Sequence, residues 1–199
     1  MSQQQAWYPP SSCLWAEQTR ITSKVAIAGQ YPDLENFFLH GLKVDEPDVD
    51  MLVDELKRLA TSDGDPSIDK VRALIRDIDD MGPNHKDLED LRAYNILPVQ
   101  GTDGQISLKS TNDVFAIADR VEYEKLFRGR VAILAYTIEE AYTLKGFLSA
   151  LGLIVRCMSR VVGETSTANV SFKEPRLTRK VRNQAYALFR SVSTSSTLQ

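Results

Sequence analysis

The sequence predicts an α+β fold: a helical hairpin region followed by a small mixed β-sheet with flanking helices. Three observations predict it. First, Val49, Leu52, Val53, Leu56, Leu59 and Ala60 recur at helical spacing, and so do Ile68, Val71, Leu74, Ile75 and Ile78. The polar run 61–66 between them, Thr-Ser-Asp-Gly-Asp-Pro, breaks a helix, which is the pattern of an αα-hairpin. Second, residues 95–134 hold short apolar runs around Thr102-Asp103-Gly104-Gln105, and Asp-Gly suits the positive φ of a hairpin tip. Third, Thr137 and Glu140 have the capping-box spacing, in which hydroxyl and carboxylate each satisfy a free backbone N–H at a helix start.

The elements follow in order. Residues 1–12 are polar and carry Pro9-Pro10, which predicts a disordered lead-in. Val25-Ala26-Ile27-Ala28 reads as a short strand. Residues 31–42 read as a helix with Pro32 and Asp33 in its first turn and Gly41 at its end. Asp48 caps the second helix. The third starts near Ser67 and ends at Gly82-Pro83, and a short fourth covers residues 86–94. Residues 96–99 and 106–108 form a hairpin, with Pro98 predicting an edge strand or a bulge because it cannot donate to a ladder. Residues 115–118 are a third strand, residues 121–127 a helix, and residues 131–134 a fourth strand, apolar enough to be central. The helix opened by Thr137 runs to Leu151, and Gly152 takes the left-handed position after it. Residues 155–162 read as extended, 163–169 as a loop and 178–191 as a last helix. The division expected is a lead-in over 1–12, a mainly helical subdomain over 13–94, an α/β subdomain over 95–191 and a disordered tail over 192–199.

Composition bounds the function. Of 199 residues, 43% are hydrophobic and 26% charged, which supplies a real core. No apolar run reaches the length of a membrane helix, and the N-terminus lacks the basic and apolar regions of a secretory signal. Cys13 and Cys157 are far apart, and the expectation is free thiols in a reducing, intracellular setting, cytoplasmic or nuclear. The net charge of −3 hides an asymmetry: residues 31–90 carry 17 acids against 7 bases, residues 152–199 carry 8 bases against 2 acids. The basic end could meet an acidic partner; a solvated charged face is the commoner meaning of such runs.

Metal, nucleophile and nucleotide sites each need particular residues at particular spacings. His40 and His85 have no HxxxH partner and no CxxC is present, so no metal is expected. There is no GxSxG elbow, P-loop or GxGxxG turn, so no nucleotide cofactor is expected either. Asp119, at the end of an apolar run, is the most site-like acid, and with Arg120 or Arg128 it makes a weak catalytic candidate. Its structural alternative is to cap the helix at Val121. Asp77, Asp79 and Asp80 read as a solvated face. Arg176, Arg179, Lys180 and Arg182 form a weak basic patch for a phosphate backbone, but the sequence pI of about 5.5 argues against a dedicated nucleic-acid binder.

Ser12-Cys13-Leu14-Trp15, residues 31–38 (YPDLENFF), residues 95–99 (NILPV), residues 115–120 (FAIADR) and Phe127-Arg128-Gly129 resemble an interior region of large fungal proteins related to sacsin and NO VEIN. Those proteins carry an N-terminal ATPase domain of the Hsp90 type, whose nucleotide-binding elements have no counterpart in this sequence. The resemblance implies a module of a larger chaperone-like protein and transfers no functional residue. The function expected is therefore a non-catalytic scaffold or protein-interaction module, its partner another protein or other domains of the same long chain. The contact surface expected is the groove between the two halves or the basic last helix. An enzyme or small-molecule site at Asp119, Arg120 and Arg128 is the alternative, and nucleic-acid contact through the last helix the third reading.

Overall fold

A computed structural model describes residues 7–62, 66–163, 165, 176, 178–182 and 184–185. The fold is α+β. Its strands are β1 (Cys13–Leu14), β2 (Val25–Ala26), β3 (Leu97–Gln100), β4 (Ile106–Lys109) and β5 (Ile133–Leu134). Its helices are α1 (Val49–Thr61), α2 (Ile68–Asp80), α3 (Val121–Phe127), α4 (Ile138–Thr143), α5 (Lys145–Ala150) and α6 (Met158–Val161).

The αα-hairpin forms as its stripes require. Asp48 accepts from the Met51 N–H at 2.7 Å and starts α1. Leu52, Val53 and Leu56 of α1 bury against Val71, Leu74, Ile75 and Ile78 of α2. The β3–β4 hairpin also forms, antiparallel with Pro98 opposite Leu108, and Gly104 at its tip has φ +82°. The capping box at Thr137 is complete: Glu140 N–H donates to Thr137 Oγ1 at 3.1 Å, and Thr137 N–H to Glu140 Oε2 at 2.9 Å. Gly152 is left-handed, with φ 76°.

Several elements differ from the sequence expectation, each because tertiary bonding outweighs the local pattern. Pro98 lies on the central strand, since the sheet order is β4-β3-β5, and β5 is an edge. The proline is tolerated because the β3–β5 ladder covers only Val99 and Gln100, so its missing N–H falls at the ladder end. Residues 115–118 are extended but form single parallel bridges, Ala116 to Ile133 and Ile117 to Cys157, and no ladder. Residues 31–42 form a 3-10 turn (Pro32–Leu34) and a π-helical turn (Phe37–Gly41), in which Leu42 N–H reaches the Phe37 carbonyl at 2.9 Å. In so short a segment, ring packing by Phe38 decides the backbone. Residues 86–94 tighten into a 3-10 turn, Glu89–Ala93.

The helix expected over 137–151 is broken at Leu144, where ψ is 19°. Phe147 N–H, which would continue the α-helical ladder, donates instead to the Asp79 carboxylate at 2.6 Å. Residues 155–162 are helical turns (Leu153–Arg156, then α6) despite their β-branched residues. Arg156 anchors them: it donates to the Asp113 and Thr111 carbonyls and lies over the Phe115 ring, 4.5 Å from its centroid.

No boundary appears at 94/95. One core cluster joins Leu14, Leu56, Ile78, Leu97, Ile117, Phe147 and Leu153, and residues 1–162 form a single compact unit. Residues 163–199 are a second unit, in which 176, 178–182, 184 and 185 are helical. The expected loop at 163–169, the rest of the helix over 178–191, the first six residues of the lead-in expected over 1–12 and the tail at 192–199 lie wholly or largely outside the described residues, whereas Pro10–Ser12 of that lead-in form a 3-10 turn. No helix among the described residues is long and apolar enough to cross a membrane.

Candidate functional site

The three residues of the catalytic candidate are not brought together. Asp119 accepts from the Ser159 backbone N–H at 3.0 Å and from the Ser159 hydroxyl. It therefore caps α6, forty residues on, while the first turn of α3 receives no side-chain cap from Arg120. Arg120 lies over the Tyr123 ring at 5.6 Å from the centroid. Arg128 pairs with Glu124 one turn back and lines a different cavity from Asp119. An acid whose oxygens are both engaged, with its two cations elsewhere, has no geometry for proton transfer between them. In the second unit Arg176, Arg179, Lys180 and Arg182 are helical and exposed.

Among the described residues up to 162 the two expected halves share one core instead of meeting only across a groove: Ile78 of α2 and Phe147 of α5 both belong to it. Of the three acids read as a solvated face, Asp80 is exposed and the other two have structural partners. Asp77 pairs with Arg20 at 2.7 Å, and Asp79 holds the start of α5.

Two other features emerge. The first is an aromatic cluster centred on Phe38, which stacks on Trp15 (centroids 5.7 Å apart), tilts against Tyr31 (5.4 Å) and meets Phe37 edge-on (5.4 Å). Beneath it Cys13, Ile27 and Val44 form a small core of their own. The upper side of the cluster faces solvent: Tyr31 is 45% exposed and Phe37 54%, with Leu34 and Leu42 exposed beside them in the chain. The same stretch exposes Asp33, Glu35, Asp45, Glu46, Asp48 and Asp50, and Lys43 is the only lysine or arginine in residues 31–50. Lys43 holds a left-handed φ of 56°, an uncommon state for a residue with a side chain. Leu34, Phe37, Phe38 and Leu42 have the spacing of one helical face, yet Leu34, Phe37 and Leu42 are exposed. The available signal was the density of aromatic rings beside an acidic run.

The second feature is a cavity of about 300 Å³ between the bridge at Ile117 and helices α4, α5 and α6, with Cys157 in its wall. Burial pushes the Cys157 thiol up, and the neighbouring Asp119 carboxylate adds to that, so the thiol is protonated near neutrality. Cys13 is also a free thiol and is buried. Among the described residues, no group of three or more His, Cys, Asp or Glu is arranged to hold a metal ion.

The model of a family described as a domain of unknown function, DUF8348, matches residues 50–162. The chain belongs to that family. No curated protein and no solved structure matches the chain. The DUF8348 segment starts in α1 and ends with the compact unit, at Val162. The Cys157 cavity lies wholly within the DUF8348 segment, and the aromatic cluster lies before it.

Proposed function

We propose that this chain is a non-catalytic protein-interaction module whose docking surface is the aromatic cluster at Trp15, Tyr31, Phe37 and Phe38. The partner is a protein segment with apolar anchors and basic flanks. The carrying observation is the exposure of Tyr31 and Phe37 over a floor of packed aromatic rings. Rings held by other rings cost little entropy to bury, which is what binding hot spots exploit. The acidic run 31–50 sets the sign of the partner's charge, since complementary potentials steer encounter. The resemblance to sacsin-like and NO VEIN-like proteins agrees with a module of a larger chaperone-like chain. The two free thiols agree with a reducing, intracellular setting.

The test uses two synthetic amphipathic helical peptides, one built of leucine and lysine and one of leucine and glutamate in the same pattern. Tryptophan fluorescence in a Trp7→Phe background is the readout, because Trp15, the other tryptophan of the chain, is part of the cluster. The expected result is a saturable change with the leucine–lysine peptide, weakened by salt and lost in Tyr31→Ser and Phe37→Ser. Equal response to both peptides, no response, or binding unchanged in Phe37→Ser would overturn the reading.

A further inference from the structure

The cavity beside Cys157 has the make-up of a ligand site. Its inner wall is apolar: Leu148 and Ile117 are each 2% exposed, and Ile138, Ala141 and Ile154 complete it. Small-molecule sites combine such walls with a few placed polar groups, and about 300 Å³ is the lower end of their size range. Lys145 from α5 and Arg160 from α6 both line the cavity and are exposed. Neither forms a salt bridge among the described residues. Two cations on one small cavity, without an ion pair, are charge left over by the fold.

The acid in the same wall offsets one of the two charges and leaves the lining net positive. Asp119 accepts both donors of Ser159 and is committed to α6. Cys157 presents a neutral thiol, a small apolar surface at this protonation state. The lining therefore offers an apolar interior with positive charge at the exposed end.

We propose that this cavity binds a small carboxylic acid with an apolar body, the body lying against Ile117, Leu148 and Ile154 and the carboxylate held by Lys145 and Arg160. Arginine's fork suits a carboxylate geometrically, and lysine adds a mobile point charge. The site is distinct from the aromatic cluster, so each reading stands or falls alone.

Cys157 supplies the readout. The full chain is alkylated with iodoacetamide in the presence of hexanoate or benzoate, and of the neutral amides hexanamide and benzamide. Modification is quantified by mass spectrometry on the peptide containing Cys157, with the Cys13 peptide as the reference. The acids are expected to slow alkylation of Cys157 in a saturable way, without slowing Cys13, and the amides to do so poorly. Lys145→Met and Arg160→Met, both at exposed positions, should each raise the half-protecting concentration about tenfold, the equivalent of one lost charge-assisted hydrogen bond. Equal protection by acid and amide overturns the proposal. So does protection that survives both substitutions, or the absence of protection by either acid in a chain whose circular dichroism and melting are unchanged.

Discussion

Arg72 donates to the carbonyl of Ala135, the carbonyl that Pro98 has no N–H to serve. Ala135 N–H donates to the Pro98 carbonyl at 2.7 Å, which fixes these two residues as a hydrogen-bonded antiparallel pair. A pair of this kind exchanges two bonds, and proline leaves one acceptor over. The guanidinium of α2 fills that place and lies over the Tyr136 ring, 5.2 Å from its centroid. The helical hairpin is thus bonded into the sheet at the backbone gap that Pro98 leaves.

A double-mutant cycle tests that relationship. Arg72→Met should cost about 1–3 kcal/mol, the range for losing a charged donor to a partly buried acceptor. In the Pro98→Ala background a backbone N–H is available to Ala135, so the same substitution should cost less. Urea denaturation of the four proteins measures the coupling. Equal costs in both backgrounds would mean that Arg72 acts only through its packing on Tyr136.

Gly146 and Asp79 make a second coupled pair, in which the sign of an effect depends on the partner. A Cβ at Gly146 would meet Asp79 Oδ1 at 2.9 Å, so Gly146→Ala should push the carboxylate off the Phe147 N–H. The loss expected is about 1 kcal/mol, that of a helix cap. With Asp79→Ala already in place nothing remains to displace, and alanine's helix propensity should make Gly146→Ala neutral or stabilising by up to about 1 kcal/mol. Thermal melts of the single and double variants decide between these. A Gly146→Ala effect of the same sign in both backgrounds would sink the idea.

These two contacts also explain how far the sequence was legible. The stripes of α1 and α2, the Asp48 cap, the Gly104 hairpin tip and the Thr137 capping box are local patterns with periods or spacings of a few residues, and they formed as read. What was missed depends on residues far apart. Asp79 to Phe147 spans 68 positions, Arg72 to Ala135 spans 63, and Asp119 to Ser159 spans 40. No periodicity encodes such pairs, so Asp79 looked solvated, Pro98 looked like an edge and Asp119 looked like a cap for its own neighbour. The aromatic cluster was missed for a different reason: apolar spacing predicts that rings pack, but not which ring stays in solvent.

The pH dependence of stability should centre on Glu55. It is only 4% exposed and accepts from the Thr22 N–H (3.2 Å), the Thr22 hydroxyl (2.7 Å) and Arg58 Nη2 (2.6 Å). Burial alone would raise its pKa, but the bonds from Arg58 and Thr22 together outweigh it and hold the carboxyl below the usual range. Glu140 is lowered too, chiefly by the Thr137 N–H and further by Arg76. A folded pKa below the unfolded one means that the unfolded chain binds the proton more readily. The stabilisation is therefore complete above the unfolded glutamate pKa of about 4.3, and it is lost as pH falls through the folded values. Glu55→Gln should cost about 2 kcal/mol near neutrality and much less in acid, flattening the acid limb of the stability profile. Denaturant midpoints measured across that range check it, and a parallel loss at every pH would show that the charge is not what matters.

Asp119 and Cys157 give the last prediction, which separates charge from capping. The Cys157 thiol is held up first by burial and next by the Asp119 carboxylate. Asp119→Asn removes the charge and keeps the shape, so the thiol pKa should fall and alkylation at a fixed mildly alkaline pH should speed up. Ser159→Ala takes a hydroxyl donor from Asp119 but leaves the carboxylate in place, so the thiol should remain high. A pH–rate profile of Cys157 alkylation, with the Cys13 peptide as the unaffected reference, distinguishes the two. If α6 merely frayed, the lost burial would lower the midpoint in both variants, Ser159→Ala included, because burial is the first cause that holds the thiol up. A shift confined to Asp119→Asn would establish that the carboxylate acts on the thiol through its field.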